Sequence, residues 1–256
     1  MAGNGPPGRS VTSKVTALLA AFSPSAPEMS LNELSRRTGL PLSTTYRLMS
    51  ELVDWGGIER VNGGGYRIGL RLWEIGSLAP RTTSLRDITT PFMQDLYEAT
   101  HENVQLAVLD GREALYLEKI TGRRSVGAKT RRGGRLPLHA TAVGKALLAY
   151  APPQLVEAVL TAGMTRYTPH TIVTPGHLQR ALAEVRRTGV AVAREEMSVG
   201  VTSIASALLD GGGNAVAAMS ITARSNRADL ARLGPAVLTA ALCASRRLRA
   251  TSGTPP

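Results

Sequence analysis

Between Ser30 and Asp54 the sequence encodes two short helices with almost no chain between them. Ser30-Leu31-Asn32-Glu33 is an S-x-x-E capping box, in which the serine accepts an early helical N–H and the glutamate reaches back to the serine. The helix it starts runs to about Thr38, with Leu31 and Leu34 turned inward. Gly39 supplies the positive φ that a tight helix exit needs, and Pro41 restarts the chain as a second helix to about Asp54. On that helix Thr45, Leu48, Met49 and Leu52 form one inward stripe. Ser43, Thr44, Arg47, Ser50 and Glu51 are left on the outer face, with Tyr46 at its edge. A helix, a Gly turn and a second helix with hydroxyls and Arg on its outer N-terminal half is the helix-turn-helix arrangement. Short Ser and Thr side chains let such a helix sit deep in a major groove, where Arg47 reaches phosphate or a guanine edge.

The flanking sequence completes a small domain over 11–69. Upstream, Val11, Val15, Leu18, Leu19 and Phe22 recur at the spacing of one helix face. The segment from Ser23 to Pro27, with its two prolines, ends that helix. Downstream, Ile58–Val61 and Tyr66–Ile68 read as two strands around Asn62-Gly63-Gly64-Gly65. This is a hairpin wing, and Arg60 and Arg67 flank it within reach of adjacent DNA backbone. The candidate DNA contacts are therefore Ser43, Thr44, Tyr46, Arg47, Arg60 and Arg67. The competing reading is a three-helix module for protein contacts.

Total charge does not decide between them. The 256-residue chain has a formal net charge of +11, which favours polyanions through counterion release. Residues 1–80, however, hold eight Lys/Arg against six Asp/Glu, so most of the excess lies downstream. A hydrophobic fraction of 43% suffices for real cores, and no apolar run reaches the roughly 18 residues that cross a membrane. Residues 1–10 are Gly- and Pro-rich without an apolar stretch and read as a disordered tail rather than a signal peptide. Residues 251–256 read as a second tail. The single cysteine, Cys243, forms neither an internal disulfide nor a Cys-rich zinc site, which fits a reducing, cytoplasmic setting.

Residues 70–83 read as a linker helix carrying Leu72, Trp73 and Ile75, with a boundary at Pro80-Arg81-Thr82-Thr83. An amphipathic helix follows from Leu85 to about Thr100, with Leu85, Ile88, Phe92, Leu96 and Ala99 on one side. Strands are expected at 103–109, 114–120, 125–130, 190–194, 202–209 and 215–222, and helices at 143–150, 154–160, 177–188 and 229–248. Asp210-Gly211-Gly212-Gly213 is a hairpin signal between the last two strands. Hairpin-linked strands with helices grouped between them predict a second, α+β domain over 84–250, built on an antiparallel sheet.

Read together, these stretches resemble the isocitrate-lyase-regulator (IclR) family of bacterial repressors and activators over about residues 11–250. The resemblance rests on Leu31–Leu40, Ser43–Leu48, Tyr66–Gly69, Arg194-Glu195-Glu196 and Gly200–Ala205. Its most specific part is His139-Ala140-Thr141-Ala142-Val143-Gly144-Lys145-Ala146. The resemblance implies a GAF-like C-terminal domain that binds a small, usually organic-acid effector, in a homodimer or dimer of dimers on double-stranded operator DNA. By position it places the backbone N–H groups of Ala142 and Val143 against an anionic group, with Ser203, Ser220 and Thr222 as added hydroxyl donors. Ala193 stands where some members have an acid, Ser203 where many have Cys, and Ala207 where many have Pro.

Other chemistry is weaker. Gly144-Lys145-Ala146 misses the phosphate-loop pattern at two positions, so Gly144 is read as permitting close packing and Lys145 as reaching solvent or a neighbour. His139 has no elbow serine and is read as structural rather than as a general base. The four histidines show no metal spacing. No catalytic residue, cofactor or metal is expected, and an enzyme acting on a small acid is the alternative reading. The basic run Arg123, Arg124, Lys129, Arg131, Arg132 and Arg135 reads as an exposed hairpin.

Overall fold

The computed structural model describes residues 9–122 and 130–252, with backbone alone for 80–83 and 252. The tails expected at 1–8 and 253–256, the strand residues 125–129, and Arg123, Arg124 and Lys129 lie outside the described residues. The chain divides into two compact units, Met1–Thr83 and Ser84–Pro256.

The first unit contains α1 (Val11–Ala21), β1 (Glu28–Met29), α2 (Leu31–Thr38), α3 (Leu42–Asp54), β2 (Ile58–Arg60), β3 (Tyr66–Ile68) and α4 (Leu70–Ser77). The capping box forms as its residue types dictate: Ser30 Oγ accepts from Glu33 N–H at 3.3 Å, and Glu33 Oε2 accepts from Ser30 N–H at 2.9 Å. Gly39 closes α2 at φ 67°, a left-handed conformation that favours glycine. Thr45, Leu48, Met49 and Leu52 are all buried, and the last three pack with Leu18, Leu34, Ile58 and Tyr66.

Two features depart from the sequence reading. The wing has a third strand, because Glu28 and Met29 pair with Arg67 and Tyr66; two residues are too few to show alternation. Ser10 belongs to the fold rather than to a tail, since it caps α1 by accepting from Ser13 N–H, and Arg9 donates to Thr38 O at 2.9 Å.

The second unit contains most of α5 (Pro80–Thr100), then β4 (Asn103–Asp110), β5 (Glu113–Ile120), β6 (Arg135–Pro137), α6 (Ala142–Leu148), α7 (Pro153–Thr161) and α8 (Pro175–Thr188). These are followed by β7 (Ala191–Arg194), β8 (Val201–Leu209), β9 (Ala215–Arg224) and α9 (Leu230–Ser252). The six strands form one antiparallel sheet in the order β6-β5-β4-β9-β8-β7. Helix α5 begins at Pro80, inside the expected boundary, and α9 reaches Ser252, into the expected second tail.

The two faces of the sheet differ in side-chain size. One face presents Val104, Leu106, Ile204, Leu208, Met219 and Ile221 to α5 and α9. The other presents Ala107, Ala114, Ala193, Ala205, Ala207 and Ala218 toward α6 and α8. The alanine face lets α6 lie close enough for all seven of its residues to be buried. A Cβ on Gly144 would stand 2.3 Å from Leu138 O, so this approach requires glycine.

The buried side of α5 is not the expected stripe. Leu85, Thr89, Met93, Leu96 and Thr100 face inward, whereas Ile88 and Phe92 are half-buried and Ala99 is exposed. Thr89 and Thr100 qualify as core because their hydroxyls donate to Leu85 O and Leu96 O one turn back, at 2.8 and 2.7 Å. A threonine that satisfies its hydroxyl locally buries its methyl group at little cost.

Replacing Leu48, which has no exposure, by Ala is expected to cost about 2–5 kcal/mol. Tyr46→Ala, at a side chain that is 53% exposed, is expected to stay within about 0.5 kcal/mol. Chemical denaturation followed by circular dichroism reads both, and equal losses would contradict this packing.

Candidate DNA-reading helix and effector pocket

Helix α3 presents two chemistries on opposite sides. With its apolar stripe buried, Ser43, Tyr46 and Arg47 are exposed and Thr44 is half-buried. Thr45 turns inward and donates to Pro41 O at 3.1 Å. Arg47 Nη1 meets Glu51 Oε1 at 2.6 Å one turn along, and both side chains are more than half exposed. An exposed pair of this kind holds the guanidinium by only about 0.3–0.5 kcal/mol, so Arg47 can exchange Glu51 for a phosphate.

The two wing arginines are not brought together. Arg67 stands opposite Glu59 and pairs with it at 2.9 Å. Arg60 belongs to the other face of the hairpin, its guanidinium 5.3 Å from the centre of the Tyr66 ring. In the second unit Arg132 pairs with Glu118 and Arg135 with Asp110, so part of the basic run is neutralised within the fold.

The second unit holds a pocket of about 470 Å³, part of it open to solvent. Ala142, Val143, Ser203, Ser220 and Thr222 all line it. They arrive from three elements: the start of α6, and β8 and β9, where Ser203 stands opposite Thr222. Tyr116, Thr130, Thr141, Ala193, Met197 and Ser198 also line the pocket, and among the described residues no lining side chain is charged.

Three of the lining groups have their protons engaged by the protein. Ser220 Oγ and Thr222 Oγ1 donate to Gln105 Oε1 at 2.7 and 3.0 Å, and Ser203 Oγ lies 2.9 Å from Thr222 Oγ1. The hydroxyls of Ser203, Ser220 and Thr222, expected as ligand donors, are thus hydrogen-bonded within the protein, two of them to Gln105 on β4. The sequence signal for Gln105 was an amide set between Val104 and Leu106 in β4. Burial pushes the Tyr116 hydroxyl well above its usual pKa, against a weaker opposing hydrogen bond with Thr141, so the phenol keeps its proton. Thr141 itself donates to Pro137 O at 2.8 Å and caps α6 by accepting from Gly144 N–H at 3.1 Å.

Lys145 reaches a neighbour, not solvent. Its Nζ donates to Glu196 Oε1 at 2.5 Å and to Val192 O at 2.6 Å, with both charged side chains buried. Burial holds the lysine below its usual pKa and the glutamate above its own, and each partner opposes the shift of the other. Removing one member of such a pair costs about 3–5 kcal/mol. The pair fastens α6 to the segment after β7, which Thr168 and Thr171 hold as well by donating to Glu195 O and Glu196 O at 2.7 and 2.6 Å. His139 is buried with Nε2 3.0 Å from Thr165 O, and burial holds its pKa low. Among the described residues no three His, Cys, Asp or Glu side chains converge on a metal position, and no helix is long and apolar enough to cross a membrane.

Comparison with known proteins agrees with this layout. Residues 11–62 match the model of the IclR helix-turn-helix domain, and residues 79–247 match that of the bacterial transcriptional regulator IclR C-terminal domain. The HTH-type transcriptional regulator XynR of Escherichia coli (strain K12) is 34% identical over 218 residues, 84% of this chain and 86% of the relative. The HTH-type transcriptional repressor AllR of Klebsiella pneumoniae is 36% identical over 213 residues, 82% of this chain and 78% of the relative. An IclR homologue from Microbacterium hydrocarbonoxydans, solved in complex with 4-hydroxybenzoate, superposes with a TM-score of 0.90 at 32% identity, covering 94% of this chain and 100% of that one. Two domain models that together match most of its length, and regulators that align with it across both units, make this chain a member of the IclR family of bacterial transcriptional regulators.

Proposed function

We propose that this regulator binds operator DNA through Ser43, Thr44, Tyr46 and Arg47 in a major groove. Arg60 and Arg67 carry the wing against the backbone, and a small organic acid in the second unit controls the binding. The division of α3 carries the DNA reading: an inward stripe of Thr45, Leu48, Met49 and Leu52 directs the hydroxyl-and-arginine side outward. Phosphate contacts hold position while base-edge contacts select sequence. A homodimer, or a dimer of dimers, in the cytoplasm reads two half-sites about one DNA turn, roughly 10 bp, or a multiple of it apart. The acid acts only through different affinities for the DNA-competent and DNA-incompetent arrangements.

The acid's carboxylate is placed at the start of α6. The N–H groups of Ala142 and Val143 are the first two of that helix, with no acceptor within it, and such groups attract anions. The Microbacterium homologue, solved with 4-hydroxybenzoate, supports an acid of this size. The regulator is not an enzyme on this reading. Among the described residues its pocket lining contains no histidine, cysteine, lysine or carboxylate that would activate a hydroxyl as a nucleophile.

Arg47→Ala is expected to weaken operator binding by about 1–3 kcal/mol, roughly tenfold or more, without lowering the melting temperature. Unchanged affinity by fluorescence anisotropy would remove Arg47 from the interface. Gly144→Ala drives a Cβ into Leu138 O and is expected to abolish the response to organic acids such as 4-hydroxybenzoate while leaving DNA binding in their absence. An unchanged dose response in a DNA-release assay would separate α6 from ligand sensing.

A further inference from the structure

The wall formed by β8 and β9 has a definite hydrogen-bonding polarity, set from behind. Gln105 is fully buried and stands opposite Ser220 in the pairing of β4 with β9. Its Oε1 takes two protons, from Ser220 at 2.7 Å and Thr222 at 3.0 Å, while its Nε2 donates to Thr130 Oγ1 at 3.4 Å. A hydroxyl has a single proton and two lone pairs. Thr222 has given its proton to Gln105, so across the 2.9 Å contact with Ser203 it is the acceptor. Donation therefore runs from Ser203 to Thr222 to Gln105, with Ser220 joining at the same oxygen. All three lining hydroxyls offer the cavity lone pairs only. Thr130 and Ser198 have no such commitment among the described residues.

We propose that Gln105 is a specificity-determining positioning residue: by collecting these protons it makes the strand wall acceptor-only. The part of a ligand seated against Ser203, Ser220 and Thr222 must bring its own proton, and a carboxylate there is rejected. The effector is accordingly a hydroxy acid rather than an unsubstituted or dibasic acid. This rests on the sensor reading of the same pocket.

The test is calorimetric titration of the full-length protein with benzoates carrying a para hydroxyl, hydrogen or carboxylate, and with the three-carbon aliphatic acids bearing the same end groups. In the wild type, the hydroxy acid of the better-bound series is expected to bind about tenfold or more tightly than its unsubstituted parent, with the diacid weakest. Gln105→Met frees the protons of Ser220 and Thr222 and is expected to bring the hydroxy acid and diacid within about threefold of each other. Gln105→Glu keeps acceptor oxygens and is expected to retain the wild-type order. A diacid that binds the wild type as tightly as the hydroxy acid overturns the proposal, as does an unchanged ratio in a folded Gln105→Met protein or a lost order in Gln105→Glu. If none of the six acids binds the wild type, the sensor reading falls and this inference with it. Binding without the ranking removes the polarity alone.

Discussion

The buried ion pair between Lys145 and Glu196 is the interaction on which the pocket depends. Helix α6 supplies one wall, and the segment beginning after β7 supplies another through Met197 and Ser198. Neither is stitched to the other by sheet hydrogen bonds. Lys145 spans the gap, reaching Val192 O as well as the carboxylate. The pair is costly to desolvate and is poor evidence of stability in itself. Its effect is geometric: a lysine held at two acceptors leaves α6 one seat over the sheet. That seat also requires the alanine face beneath it and the missing side chain at Gly144.

The exposed face of α3 and the wing follow the opposite rule. There the charged groups are held loosely. Arg47 leans on Glu51 and Arg67 on Glu59, each in an exposed pair. Such pairs orient a long side chain in the free protein and release it for little energy. The glutamates also tax non-specific attraction: residues 1–80 are nearly charge-balanced, so the unit that reads DNA has only a modest electrostatic pull of its own. On the proposed reading, affinity there comes from shape and directed contacts in the groove rather than from bulk charge.

What the sequence disclosed, and what it hid, follows the range of the interactions involved. The capping box, the Gly39 exit and the stripe of α3 are local patterns with a 3.6-residue period, and they appear in the structure as read. The β8–β9 hairpin was legible for the same reason, since Asp210 to Gly213 mark its turn. The stripe of α5 was misplaced because Thr89 and Thr100 look polar on a hydropathy scale until their hydroxyls are bonded one turn back. Gln105 escaped because its meaning is entirely non-local. Nothing near position 105 says that residues more than a hundred positions later will set two hydroxyls against its oxygen. Lys145 is the intermediate case, its partner being 51 residues away and its burial visible only once α6 lies on the sheet.

The same non-local chemistry bears on how a pocket of this layout would choose among small acids. A helix start that attracts a carboxylate discriminates poorly, because every small acid carries one. Discrimination must come from the other wall, where the difference between a bonded and an unbonded polar group is largest. A pocket built to receive a hydroxyl leaves its acceptors unpaired when the hydroxyl is absent, and such sites reject the shorter analogue far better than an apolar pocket rejects a missing methylene. In this chain Ala193, opposite Ser203 on β7, brings no charge to that wall, and on the proposed reading the selection falls to three hydroxyls and to the amide that holds their protons. On the proposed reading, a change at the buried position 105 would retune the sensor from outside the pocket lining.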